Sequence, residues 1–181
     1  MLSVRELKLY VQRLTEREFR KQLGPFVLIQ RPEGKGGPRA TDKWGVPPNA
    51  QRTSTARPEA VETGSLSLLF QFDDLMVATV PPMQGVDELA VGRAPDNELI
   101  IEDSSASKRH AVLRWDAASD RCTVQDLGST NGTFLNASVR IRRETTLKNG
   151  DILSFGEVQY WFLVTDTLYA KLRGGDSRSR R

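Results

Sequence analysis

From Ser65 onward the chain consists of short runs rich in Leu, Val, Ile and Phe, broken by Asp, Asn, Gly and Pro at intervals of roughly 8–12 residues. "SLSLLFQF", "LMVATV", "ELAVG", "ELII", "HAVLRW", "CTVQDL", "TFLN", "TTLKNG", "DILSFG" and "VQYWFLV" read as successive strands, and nothing between them has the length or period of a helix. Such a series can bury its apolar faces only as two packed sheets or a closed barrel. The reading is an all-β sandwich or barrel over residues 65–170, of about ten to eleven strands. In that architecture the strands are scaffold and the loops carry the chemistry.

The remainder of the chain is organised differently. In residues 1–31, Ser3 and Glu6 have capping-box spacing and Val4, Leu7, Val11 and Leu14 follow on one helical face. Thr15 and Glu18 repeat the spacing, which predicts a second short helix before "PFVLIQRP" turns extended. The apolar face of this N-terminal helical extension is expected to dock on the body of the protein or on a second copy. Residues 32–64 hold five prolines and five glycines with no apolar period, and are read as a flexible linker whose only large apolar group is Trp44. The end, residues 171–181, is read as a basic disordered tail.

Composition narrows the function. Residues 65–170 carry nine basic and fifteen acidic side chains, a net −6, whereas residues 1–31 and 171–181 carry +4 each. An acidic body repels a nucleic-acid backbone, so only the basic ends could bind one, and nucleic acid is set aside as the main partner. One cysteine, Cys122, and one histidine, His110, cannot build a zinc cluster; no metal and no cofactor is expected. No apolar run is long enough to cross a membrane and the first residues lack the apolar core of a secretory signal, so the expected location is cytoplasmic.

Four loop features remain. Gly92-Arg93 follows a strand, Ser107 stands three residues before His110, "GSTNGT" runs from Gly128 to Thr133, and Gly150-Asp151 precedes Gly156. In that order they resemble the forkhead-associated (FHA) domain, whose members share a Gly-Arg, a Ser-x-x-His, a Gly-Ser-x-Asn-Gly-Thr and a late Gly-Asp-x-x-x-x-Gly. The likeness spans roughly residues 66–166. Each motif alone is weak; together and in sequence they are specific.

The resemblance implies a non-catalytic reader of phosphothreonine peptides acting downstream of a Ser/Thr protein kinase. The residues suit that ligand, because a phosphothreonine carries close to two negative charges and three strong acceptor oxygens. Arg93 offers a permanent charge and paired donors, and Ser107 and Thr130 offer rotatable hydroxyls. By resemblance Asn131 holds the peptide backbone, Lys108 adds a second charge, and Gly92, His110, Gly128, Ser129 and Gly132 support the site. Arg140, Arg142 and Arg143 are placed to reach a flanking acid.

Ser107 and His110 could suggest a nucleophile and base, but no acid partner stands in a matched motif, so no enzymatic activity is expected. The expected partners are phosphothreonine proteins and a Ser/Thr kinase or its substrate, with self-association through the N-terminal helix or linker as a further option. Phosphorylation of Thr41, Thr53 or Thr55 in the linker would present a tethered ligand. The competing reading is a structural scaffold that binds an unphosphorylated partner, or itself, through the same fold.

Overall fold

The computed structural model describes residues 2–31, 76–79 and 88–175. Two antiparallel-rich sheets pack face to face, and three helices cover the outer face of the larger one. Along the chain the elements are β1 (Leu2–Ser3), α1 (Val4–Arg13), α2 (Glu16–Leu23), β2 (Phe26–Gln30), β3 (Met76–Thr79), β4 (Glu88–Gly92), β5 (Leu99–Ile100) and β6 (Ala111–Asp116). There follow β7 (Arg121–Asp126), β8 (Thr133–Leu135), β9 (Val139–Arg140), β10 (Thr145–Thr146), β11 (Ile152–Phe155), β12 (Val158–Val164) and α3 (Thr165–Gly175). The larger sheet has the order β1-β3-β2-β12-β11-β8-β9 and the smaller β10-β7-β6-β4-β5. Of the twelve strands among the described residues, ten (β3–β12) lie within residues 65–170, where ten to eleven were expected, and β1 and β2 precede them. The expected strand at Ser65–Phe72, the segment 32–64 with Trp44, Thr41, Thr53 and Thr55, and residues 176–181 lie outside the described residues.

The helical start follows its local signals. In α1 the Ser3 hydroxyl accepts from the Glu6 N–H (3.3 Å) while the Glu6 carboxylate accepts from the Ser3 N–H (2.8 Å). Thr15 and Glu18 form the same reciprocal pair at α2, at 3.4 and 2.8 Å. Each box satisfies N–H groups that the first turn of a helix leaves without partners. Gly24 ends α2 at φ +80°, a left-handed backbone that suits glycine.

Two expectations about organisation need correction, the extent of the N-terminal extension and the start of the tail. Phe26–Gln30 does not belong to an extension: β2 lies between β3 and β12, pairing Phe26 with Val164 through Gln30 with Tyr160. The larger sheet therefore takes two of its strands, β1 and β2, from residues 1–31, and the chain between β2 and β3 joins two neighbouring strands of one sheet rather than two separate units. The reason is visible in the side chains. Phe26 and Leu28 enter the core between the sheets, and Val27 and Ile29 enter a second core beneath the helices. In β12, Tyr160 and Phe162 face the first core and Trp161 and Leu163 the second. Strands buried on both faces are continuously apolar, which is how "FVLIQ" and "YWFLV" read.

Residues 165–175 form a helix directly after the last strand, so Lys171–Gly175 do not belong to a disordered tail and the region expected as sandwich ends in helix. Leu168, Tyr169 and Leu172 recur at helical spacing and are buried against α1 and α2, with the Phe19 and Tyr169 rings 5.3 Å apart. The Thr165 hydroxyl donates to the Gly24 carbonyl (2.7 Å) and the Tyr169 hydroxyl to the Leu14 carbonyl (3.0 Å), which ties the two ends of the chain together.

The apolar face of α1, expected to dock on the body or on a copy, docks on the body. Val4 and Leu7 are fully buried and Val11 nearly so, in the same cluster as Val27, Ile29 and Trp161. Burying such a side chain stabilises by about 1.5–3 kcal/mol each. That face is consumed by the fold and is not free to join two copies.

Candidate functional site

The loops after β4, before β6, between β7 and β8, and between β11 and β12 meet at one pole of the sandwich. Gly92 ends β4 so tightly against the chain before β6 that a Cβ there would overlap the Lys108 carbonyl; only glycine fits. Arg93 follows, with its N–H donating to the Ser107 carbonyl (2.9 Å) and its Nε to the Ala106 carbonyl (3.3 Å). The rest of its guanidinium is on an exposed residue.

His110, fully buried, works as an internal prop. Its Nδ1 accepts from the Ser107 N–H (3.0 Å) and its Nε2 lies 3.2 Å from the Gly132 carbonyl, an arrangement satisfied by the neutral ring protonated on Nε2. Burial pushes its pKa down from the usual 6.5, opposed by the Gly132 carbonyl and the Asp126 charge. The ring therefore stays neutral while it holds one loop to another. Both nitrogens are engaged with backbone, so His110 is not the base of a Ser107 nucleophile.

The turn after β7 is organised by Asp126. Its carboxylate accepts from the N–H groups of Gly128 and Ser129 (3.0 Å each) and from the hydroxyls of Ser129 and Thr133 (2.6 Å each). Burial alone would raise its pKa, but these four donors outweigh it and hold the carboxyl below its ordinary value. Ser129 passes the order on by accepting from the Gly132 N–H at 3.0 Å. Gly128 and Gly132 have φ of +77° and +86°, which lets the chain reverse tightly.

This scaffold brings four of the expected contact residues to one loop cluster. The Thr130 N–H donates to Ser107 Oγ (3.0 Å), and the Ser107 hydroxyl stands 3.4 Å from Thr130 Oγ1. Asn131 Nδ2 donates to the Ser105 carbonyl at 2.8 Å. Arg93 joins them through the Ala106 and Ser107 carbonyls. Lys108 enters the scaffold through its carbonyl, which accepts from the Ala94 N–H and Asn97 Nδ2, while its side chain is exposed. The exposed members are a guanidinium, an ammonium, a hydroxyl and an amide, with the Ser107 hydroxyl half-buried among them. Chemically this is a donor-rich surface suited to an anion with several acceptor oxygens.

Two supporting residues escaped the sequence reading. Asn97 is buried and its amide joins the turn after Arg93 to the loop before β6 through the Ala94 and Lys108 carbonyls (2.7 and 2.8 Å). Ser105 accepts from Asn131 and, through its hydroxyl, from the Glu157 N–H (2.9 Å). Gly156, φ +63°, lies against it so closely that a Cβ would come within 2.6 Å of the Ser105 carbonyl. The Asn97 signal was a turn-forming Asp-Asn pair, while Ser105 contributes a contact between distant segments that no local pattern encodes.

Among the described residues no helix is long and apolar enough to cross a membrane. Residues 89–156 match the family model for the FHA domain. The chain is 36% identical over 74 residues to the oxoglutarate dehydrogenase inhibitor of Corynebacterium jeikeium, covering 41% of this chain and 49% of that one. It is 37% identical over 89 residues to the FHA domain-containing protein FhaB of Mycolicibacterium smegmatis, covering 49% of each. It is 34% identical over 75 residues to the glycogen accumulation regulator GarA of Mycobacterium tuberculosis, covering 41% of this chain and 44% of that one. The chain thus spans about half the length of the curated relatives it matches. A solved structure from work on phosphothreonine-dependent FHA domain interactions is 25% identical, with a TM-score of 0.41, over 51% of this chain and 85% of that one. The strands and loops that build the donor-rich pole are thus the part of the chain, residues 89–156, that matches the FHA domain.

Proposed function

We propose that this chain is a non-catalytic phosphothreonine-peptide reader, an adaptor that acts downstream of a Ser/Thr protein kinase. The observation that carries the reading is the meeting of Arg93, Ser107, Thr130 and Asn131 on loops pinned by Asp126 and His110. Three relatives carry names of regulators or of an FHA protein, which supports a regulatory role without fixing its target.

The division of labour follows from the chemistry. Arg93 meets the phosphate charge, with Lys108 as a second, more mobile cation. Ser107 and Thr130 turn their hydroxyls toward phosphate oxygens, and the pinned turn spares the cost of ordering them on binding. Asn131 is already held at Nδ2, and engages the peptide backbone beside the phosphorylated residue. A preference for phosphothreonine over phosphoserine rests on one methyl group, at about 0.8 kcal/mol and so a few-fold in affinity.

Fluorescence anisotropy with matched degenerate peptides fixed at phosphothreonine, phosphoserine or threonine tests the reading, on wild type and Arg93→Ala. The expected result is binding selective for phosphothreonine that the variant loses while remaining folded by circular dichroism. Equal binding by the variant, or binding of unphosphorylated peptide, would instead identify a scaffold that uses the loops for packing. The kinase and the partner are then sought by phosphopeptide capture.

A further inference from the structure

We infer that Arg140 is a second recognition point of the same site, one that reads an acidic side chain flanking the phosphothreonine; the inference rests on the phosphopeptide reading above. Arg140 stands on β9, the outermost strand of the larger sheet, opposite Phe134. Its guanidinium carbon lies 6.0 Å from the Phe134 ring centroid, and the group folds back over the turn that carries Asn131. A Cβ on Gly132 would come within 2.9 Å of Arg140 Nε and 3.2 Å of Nη2, so the bare glycine is what admits the guanidinium here.

Among the described residues Arg140 has no counter-charge of its own. Arg20 is engaged by Asp120 and Asp166, and Arg114 by Glu88 and Glu144. Arg140 is exposed, and among the described residues no carboxylate forms an ion pair with it. Arg142 and Arg143 follow it, also exposed. An arginine laid over an aromatic ring has less side-chain freedom to lose when it takes a carboxylate. Its guanidinium lies against Gly132, the residue next to Asn131, whose amide is assigned to the peptide backbone, so the side chain it meets belongs to a neighbour of the phosphothreonine. The acidic segment Glu102-Asp103 precedes the other loop of the site, which disfavours a second acid on that side.

The test uses the full chain and phosphothreonine peptides in which each flanking position in turn carries Glu, Ala or Lys. Wild type is expected to favour Glu over Ala at one or more positions by about two- to five-fold near 0.15 M salt, and by more at lower salt. Arg140→Gln removes that preference, Arg140→Lys retains part of it, and Arg140→Glu turns it toward Lys; a role limited to covering Gly132 and Phe134 predicts none of these changes. Wild type that binds phosphothreonine with no acidic preference, or variants that keep it, overturn the inference while leaving the phosphopeptide reading standing. Failure of every phosphothreonine peptide to bind wild type overturns both.

Discussion

At the loop pole Asp126 accepts four hydrogen bonds, His110 bridges two loops, and the side chains facing outward are polar. Over the outer face of the larger sheet, Val4, Leu7, Phe19, Leu23 and Leu168 are sealed against Val27, Ile29 and Leu163 with little polar chemistry between them. Both regions are ordered, but by different means. The helical layer is held by apolar area removed from water, which is large, non-directional and tolerant of exact geometry. The pole is held by directional bonds, each modest in net energy but costly to leave unmade once buried. Such bonds fix donors in space while leaving them exposed to a ligand, something apolar packing cannot do. On the proposed reading, stability and recognition are thereby separated to different faces of one sandwich.

That separation can be broken by experiment. Phe19→Ala should have the largest effect, a loss of about 3–5 kcal/mol read from urea unfolding, because it opens a cavity where a fully buried ring meets Tyr169. Phosphopeptide affinity per folded molecule should be unchanged, and a parallel fall in affinity would show that the two faces are coupled. Arg93→Ala should do the reverse: a loss of affinity of about 2 kcal/mol or more, with unfolding shifted by no more than about 0.5 kcal/mol.

Asp126→Asn is expected to damage both properties, since two hydroxyls and two N–H groups lose a charged acceptor; the loss of stability should be about 1–3 kcal/mol, with weaker peptide binding. A variant with normal affinity would mean that the turn's order is not what positions Thr130 and Asn131.

The pH dependence sharpens the comparison further. The folded pKa of His110 is depressed below the usual 6.5, so the unfolded chain binds more protons and stability rises with pH. The contribution is complete above about pH 6.5 and is lost as pH falls from there toward the folded pKa. Because the chain has one histidine, a single imidazole resonance followed by NMR checks this, and midpoint protonation at or above 6.5 would contradict the buried bridge. Arg20→Ala should have the smallest effect, about 0–1 kcal/mol, since its pairs with Asp120 and Asp166 are substantially exposed.

Much of the pole was legible from the chain because its parts are local. Asp126 and the Gly-Ser-Thr-Asn-Gly turn lie within a few residues of one another, as do Ser107 and His110, so spacing alone records their bonds. Asn97 and Ser105 were missed because their partners, Lys108, Asn131 and Glu157, come from other loops. Lys108 was named by resemblance, yet only its carbonyl is seen to join the scaffold.

By itself the sequence determined the capping boxes of α1 and α2, the strand succession from Glu88 to Val164 and the loops that carry the donors. These depend on neighbours in the chain, through helix-end hydrogen bonds, period-two burial and turn residues. The tertiary structure alone decided that Phe26–Gln30 pairs with Val158–Val164, that the helices cover the second face of those strands, and that Thr165–Gly175 returns to join them. An apolar run declares that both its faces must be buried; which distant segments bury them depends on contacts made only when the whole core closes.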